Sequence, residues 1–437
     1  MASQAIRGRI LTFLRQPEGP GDSGSYRYLA DGMVHAVDGR IAAVGPAAEV
    51  AATLPPGTPV DAWPDQLILP GLIDLHIHLP QTQVIASYGA QLLDWLERYT
   101  FVEEQKYADP AHAAAGARFF LDELLANGTT TAVVYGSVHR QSAEAFFAES
   151  ARRGTAMIAG KVMMDRNAPD ALRDTAQSAY DDTKALINAW HGQGRQRYAI
   201  TPRFAITSTP GQLAAAGALL AEYPDCYMQT HLSENLAEIR TTRELFPEAA
   251  NYLDVYDRHG LLGRRSLFGH CIHLEEPEVA RMAETGSVAV FCPTSNLFIG
   301  SGLFDWRRLA GRGLRIGLAT DVGGGTSYSM LRTAAEGYKV LQLQGQNLAA
   351  LNAFDQMTRA NAAALGMEGE IGRIEAGAHA DLIVLDAAAT RAMAHRMETV
   401  RDLEEELFVL MTLGDERAVR ATYVQGRRAG PPGTAAP

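Results

Sequence analysis

His76 and His78 stand two residues apart at the end of an apolar run, Leu67-Ile68-Leu69-Pro70-Gly71-Leu72-Ile73-Asp74-Leu75. On a β-strand, side chains two apart share a face, so both imidazoles would leave the strand's C-terminal end together. Two neutral imidazoles converging on one point make half of a tetrahedral divalent-metal site. An H-x-H pair alone arises often by chance, so the reading turns on what stands at the ends of later strands. His231 closes one apolar run and is followed three residues later by Glu234. His270 closes the next, and Asp321 follows the last, ahead of Gly323-Gly324-Gly325. Three histidines and an aspartate would supply nitrogen and oxygen donors suited to Zn2+ or Fe2+.

Such residues need strands to carry them. Short β-rich runs fall at residues 67–78, 129–137, 156–164, 198–206, 226–231, 266–270, 288–292 and 314–320. Amphipathic stretches at 110–127, 142–153, 171–190, 210–223, 235–244 and 277–285 separate them. This alternation predicts an α/β chain folded as a (β/α)8 barrel, a fold of about 250 residues that places its chemistry at the C-terminal strand ends. A doubly wound sheet fits less well, because no glycine-rich dinucleotide turn follows the first strand. Hairpin patterns at both ends of the chain, with Asp38-Gly39 as one turn, are too few to form a core separately. Residues 1–66 and 370–429 are therefore expected to pair into one small β-sandwich around a barrel over 67–369, with 430–437 a disordered tail.

Composition bounds the partners. The chain has 437 residues, 47% hydrophobic, with a net charge of −11. That charge argues against nucleic acid, which needs a basic field, and leaves a small free base possible. Three cysteines, Cys226, Cys271 and Cys292, show no paired spacing. The sequence has no signal-peptide pattern at Met1–Pro17 and no apolar run of membrane-spanning length, so a soluble cytoplasmic setting is expected, with no membrane partner.

The stretch from Pro70 to His78 resembles the signature of the amidohydrolase superfamily. More narrowly, Leu79-Pro80-Gln81, Thr201-Pro202-Arg203-Phe204, His231-Leu232-Ser233-Glu234-Asn235, Cys292-Pro293-Thr294-Ser295-Asn296 and Thr320-Asp321-Val322-Gly323-Gly324-Gly325 together resemble its guanine deaminase family. The likeness runs through Ser87-Tyr88-Gly89, Leu92-Leu93-Asp94-Trp95-Leu96 and Lys161-Val162-Met163-Met164-Asp165-Arg166-Asn167 and covers nearly the whole chain. It implies one Zn2+ per subunit (or Fe2+), held by His76, His78, His231 and Asp321, and a homodimer. It also implies hydrolysis of a purine base, with water as co-substrate, to xanthine and ammonia. Glu234 would carry a proton from water to the ring, Asp321 would double as proton acceptor, and His270 would orient the attacking oxygen, with a ligand role left open. Substrate would be bound by Gln81, Arg203, Phe204, His231, Glu234 and Asp321. Gln81 offers a donor and an acceptor to an amide-like purine edge. Arg203 offers donors only, suited to a carbonyl beside a ring nitrogen. A deaminase of another amino-substituted ring (a pterin, a triazine, an oxidised guanine) is the alternative, and a catalytically silent binding homologue a further one.

Plainer roles stand beside these. Arg203 could serve as a structural ion-pair partner, Phe204 as core, and His273 as a satisfied neighbour of the site. Lys161 is the one lysine placed to bridge a second metal. Cys292 reads as a buried filler, the three glycines as a close backbone approach, and Glu404-Glu405-Glu406 as a solvated helix face. The chain departs from the family pattern at Ile206, Cys271 and Tyr135-Gly136-Ser137.

Overall fold

The computed structural model describes residues 3–89 and 91–430. Four strands precede the barrel: β1 (Ser3–Phe13), β2 (Tyr26–Val37), β3 (Arg40–Pro46) and β4 (Val60–Pro70). The barrel strands are β5 (Leu72–His78), β6 (Thr129–Tyr135), β7 (Ala156–Gly160) with a two-residue continuation β8 (Val162–Met163), β9 (Arg197–Pro202), β10 (Tyr227–Leu232), β11 (Ser266–His270), β12 (Val288–Phe291) and β13 (Arg315–Leu318). Three more close the chain: β14 (Leu382–Leu385), β15 (Val419–Val424) and β16 (Arg427–Ala429).

Neighbouring barrel strands pair in parallel from β5 to β13, as the alternation of strands and helices predicted. Strand β5 is buried along its whole length, as are β6, β7 and β12, the pattern of a sheet covered on both faces. Ile73, Leu75, Val133, Ile158, Ala199, Tyr227, Leu267, Val288 and Val290 form the packed interior, with Leu365, Met367 and Ile371 in the same cluster. The outer helices fall close to their predicted spans; Pro110–Ala126, for instance, starts with Pro110 behind the Asp109 cap.

The barrel closes at its catalytic end. The Asp321 amide donates to the His76 carbonyl at 2.9 Å, and the His78 amide to the Val322 carbonyl at 2.7 Å. Asp74, fully buried, accepts from the Thr320 amide at 3.1 Å and binds the Thr320 hydroxyl as well.

The run expected as one strand over 67–78 is two. Its first part ends β4 in a separate seven-stranded sheet of order β16-β15-β14-β4-β1-β2-β3, where Leu67–Pro70 pair with β14. Its second part is β5, so the barrel strand starts at Leu72 and not at Leu67. Gly71 marks the break: a Cβ there would lie 2.1 Å from the Thr130 hydroxyl, so only glycine lets the chain pass from one sheet to the other. The two ends of the chain thus meet as expected, in one sheet. Of the tail expected over 430–437, only Gly430 lies within the described residues.

Short helices follow β5 at Leu79–Val84, Leu92–Trp95, Leu96–Thr100, Phe101–Glu104 and Gln105–Ala108. One further reading is corrected. Glu406 is not a solvated face residue. It turns inward, 5% exposed, and receives Arg9 Nη1 at 2.9 Å.

Candidate active site

The strand-end residues converge. His76 and His78 project from β5, His231 from β10, His270 from β11, and Asp321 from the turn after β13. His76 Nε2 lies 3.2 Å from His78 Nε2, which lies 3.3 Å from His231 Nε2. Asp321 Oδ1 is 3.4 Å from His76 Nε2 and 3.2 Å from His78 Nε2. His231 Nδ1 donates to the Arg203 carbonyl at 2.7 Å, which leaves its Nε2 lone pair facing the cluster. Burial holds two of the imidazoles neutral: His78 is lowered to about 4 and His231 falls well below its ordinary value.

Lone pairs crowded in this way repel one another unless a cation lies between them. Zn–N bonds of about 2.0–2.1 Å in a tetrahedron put ligand atoms roughly 3.3–3.4 Å apart, close to the four separations of 3.2–3.4 Å just given. The four donors therefore fit one divalent cation. Gly269 makes room for them, because a Cβ there would sit 2.6 Å from His76 Cε1. Lys161 is directed elsewhere, its Nζ paired with Asp174 at 2.8 Å in a buried ion pair, so it does not serve a second metal.

Glu234 follows His231 through Ser233, whose φ is +50°. Its amide is held by Glu238 Oε2 at 2.9 Å, part of the cap of the helix Leu236–Leu245. Ser301 Oγ donates to Glu234 Oε1 at 2.9 Å, and His273 Nε2 lies 2.9 Å from the Ser301 carbonyl. Burial, with Glu238 and Asp321 nearby, raises Glu234 well above the usual carboxylate range. Asp321 goes the other way. Burial would raise it, but its electrostatic and hydrogen-bond interactions with His76 and its hydrogen bond to His78 outweigh that and leave it well below. Two carboxylates driven apart by their surroundings are suited to opposite proton roles.

His270 is fully buried, with Nε2 3.4 Å from Glu234 Oε2 and 3.9 Å from Asp321 Oδ2. Its Nδ1 is 2.9 Å from Asn296 Nδ2, an arrangement in which the amide donates and the Nε2 proton points into the site. In that tautomer His270 presents a donor to the site, while His76, His270 and Asp321 also form a group that could hold a metal. His270, Cys271 and Asp321 have φ of +72°, +53° and +52°. Backbone strain thus gathers where the chemistry would sit.

A cavity opens beside the cluster, lined by His78, Gln81, Leu92, Trp95, Leu96, Arg203, Phe204, His231, Glu234, His270, Ile299, Asp321 and Gly324. Phe204 packs its ring 6.2 Å from His231 as part of that wall. Arg203 lines the cavity and also forms an ion pair with Glu104. Cys292 is buried filler, with its thiol pushed up by burial. The glycines are a close approach: a Cβ on Gly325 would lie 1.9 Å from the Thr320 carbonyl oxygen, and one on Gly323 2.5 Å from that of Gln81.

Sequence reasoning missed several residues. Tyr135, noted there only as a departure, stacks on His78 at 4.5 Å. Glu104 lies buried behind the cavity, bonded to both Gln81 and Arg203. It falls in Glu103-Glu104-Gln105-Lys106, a polar run that reads as a solvated helix face. Ser301 and Asn296 gave no chemical signal of their own, although Asn296 ends a motif that carried the resemblance.

The profile described as "Amidohydrolase family" matches residues 67–429. The chain belongs to the amidohydrolase family. Within that family its relatives are guanine deaminases. The guanine deaminase of Escherichia coli (strain K12) is 45% identical over 97% of each chain. The solved structure of an E. coli guanine deaminase superposes with a TM-score of 0.95 at 44% identity, covering 98% of this chain and 99% of that one. A guanine deaminase from C. acetobutylicum, with guanine bound in its active site, gives 0.86 at 27% identity, again over 98% and 99%. No helix among the described residues is long and apolar enough to cross a membrane.

Proposed function

We propose that this chain hydrolyses guanine to xanthine and ammonia. The observation that carries the reading is the cluster of His76, His78, His231 and Asp321, with donor separations of 3.2–3.4 Å, beside a cavity that Gln81, Arg203 and Glu234 line. His76, His78, His231 and Asp321 would hold one Zn2+, with Fe2+ the alternative, and its charge would lower the pKa of a water molecule toward neutrality. Glu234, raised by its burial, takes a proton from water and delivers it to ring N3. His270 donates from Nε2 toward the oxygen that adds at C2, and stabilises the charge developing there. Asp321, kept anionic, accepts the second proton from the added hydroxyl and passes it to the amino group, which leaves as ammonia as the C2 carbonyl forms.

Arg203 directs its remaining guanidinium donors at the carbonyl side of the purine, and Phe204 walls the ring. Gln81 contributes less than the sequence suggested, since Nε2 already donates to Glu104 and Oε1 already accepts from Gly323 N at 3.2 Å. The setting we assign from the sequence resemblance is a cytoplasmic homodimer acting in purine breakdown.

The test is ammonia release from a panel of aminated rings (guanine, adenine, pterin, triazine) by the metal-loaded protein and by protein stripped with a chelator. Guanine should be turned over, with activity restored by Zn2+. Activity confined to another ring, or unaffected by stripping, would refute the reading.

A further inference from the structure

We infer that Glu104 is a positioning residue for substrate recognition: it fixes which way the Gln81 amide faces and holds the Arg203 guanidinium in place. The carboxylate is the last residue of the short helix Phe101–Glu104 and is fully buried. Its two oxygens are divided between the two side chains that face the substrate. Oε1 accepts from Gln81 Nε2 at 3.1 Å, and Oε2 accepts from Arg203 Nη1 at 2.6 Å.

An ionised carboxylate only accepts hydrogen bonds, so the end of Gln81 that meets it must be the NH2 group. The carbonyl end is set by the opposite requirement, because it receives the Gly323 amide at 3.2 Å. Turning the amide over would oppose oxygen to oxygen at Glu104 and N–H to N–H at Gly323, losing both bonds inside a buried site. Free glutamine has two interchangeable orientations, whereas Gln81 has one. Its remaining N–H and its remaining lone pair therefore reach the cavity in a fixed order.

Glu104 acts on Arg203 by charge as well as by geometry. The guanidinium is 3% exposed and its partner carboxylate is not exposed at all. Without Glu104 the cavity wall would carry an uncompensated buried cation. Phe101, on the same helix, lies under the guanidinium at 5.6 Å and completes its seat. Tyr107 ties the segment down by donating to the Leu79 carbonyl at 3.2 Å, two residues before Gln81. Glu104 is not among the cavity-lining residues, so it touches no substrate and works through the two that do.

This inference rests on guanine being the substrate, and its test uses the C6 edge. Guanine and 2,6-diaminopurine share the 2-amino group and differ at C6, a carbonyl in one and an amino group in the other. In metal-loaded Glu104→Gln the new carboxamide can donate as well as accept, so Gln81 is free to turn over. KM for guanine should rise roughly 10- to 100-fold, more than kcat falls, and the preference for guanine over 2,6-diaminopurine should drop at least about tenfold. Combining Glu104→Gln with Gln81→Leu should cost less than the product of the two single effects, since both remove one shared contact. A folded Glu104→Gln with wild-type KM and preference, or with effects that multiply, overturns the inference. Should that variant fail to fold, Glu104→Asp, which keeps the charge but falls one methylene short of both partners, is read by the same criteria. Guanine binding measured by calorimetry in a Glu234→Gln background gives the comparison without turnover. An unchanged Kd there counts against Glu104, whereas a wild type that releases no ammonia from guanine counts against the proposed activity.

Discussion

Gly269→Ala adds one methyl group to the barrel lining and should disable the site through His76 alone. The added Cβ would sit 2.6 Å from His76 Cε1 and 2.9 Å from Nδ1. Ordinary contact between such atoms is about 3.5–4.0 Å, so the ring must retreat by roughly 1 Å. It has little room, since Tyr135 packs at 4.7 Å and His231 at 4.8 Å between ring centroids. A metal site tolerates ligand displacements of only about 0.2 Å, so the variant should lose one of four donors. Misplacing even an outer partner of a ligand costs about 10–100-fold in metal affinity, and losing a ligand should cost at least that. The assay is zinc content and Zn2+ affinity of purified protein, with circular dichroism to establish the fold. Gly311→Ala serves as control, because a Cβ at that helix position meets nothing within 4 Å. Gly269→Ala binding one equivalent of zinc with wild-type affinity would refute the claim that this glycine exists to admit the imidazole.

Glu234→Gln should keep its zinc and lose turnover by about 10²–10⁴-fold, measured as xanthine formation. Ser301→Ala removes a donor to the Glu234 carboxylate, so the Glu234 pKa rises and the acidic limb of the kcat/KM profile moves to higher pH; an unmoved limb would count against Ser301 as an orienting group. His379, its pKa lowered to about 4 chiefly by burial, is neutral in the folded protein at pH values where the unfolded chain is protonated. Its contribution is fully present above about 6.5 and is lost as pH falls toward 4, of order 1–2 kcal/mol for this half-buried group, read by comparing urea melts of wild type and His379→Gln across that window.

The parts of this site that were legible before folding are those in which one strand position dictates one face. His76 and His78 share a face because they are two apart, and His231, His270 and Asp321 stand at strand ends that a parallel barrel gathers at one mouth. The split at Gly71 was not legible, because the apolar run is continuous across it and only the proximity of Thr130 explains the glycine. Glu104 was hidden for a different reason. Its neighbours Glu103 and Lys106 pair with each other at the surface, and periodicity cannot show that the residue between them turns inward toward a strand 99 positions away. Gln81 was read as a group with both ends free, and what limits it, the Gly323 amide, lies 242 residues on.

The two backbone bonds that join His76 and His78 to Asp321 and Val322 make the barrel's closing seam and its cation socket a single object. A metal there would act as a rivet, spanning residues 76 and 321 and so closing most of the chain into a ring. The seam cannot part without giving up its ion, and removing the ion leaves the backbone bonds and the Asp74–Thr320 contacts to keep the first and last staves together. Hydrogen exchange at the His78 and Asp321 amides should therefore quicken on chelation while the opposite side of the barrel stays protected.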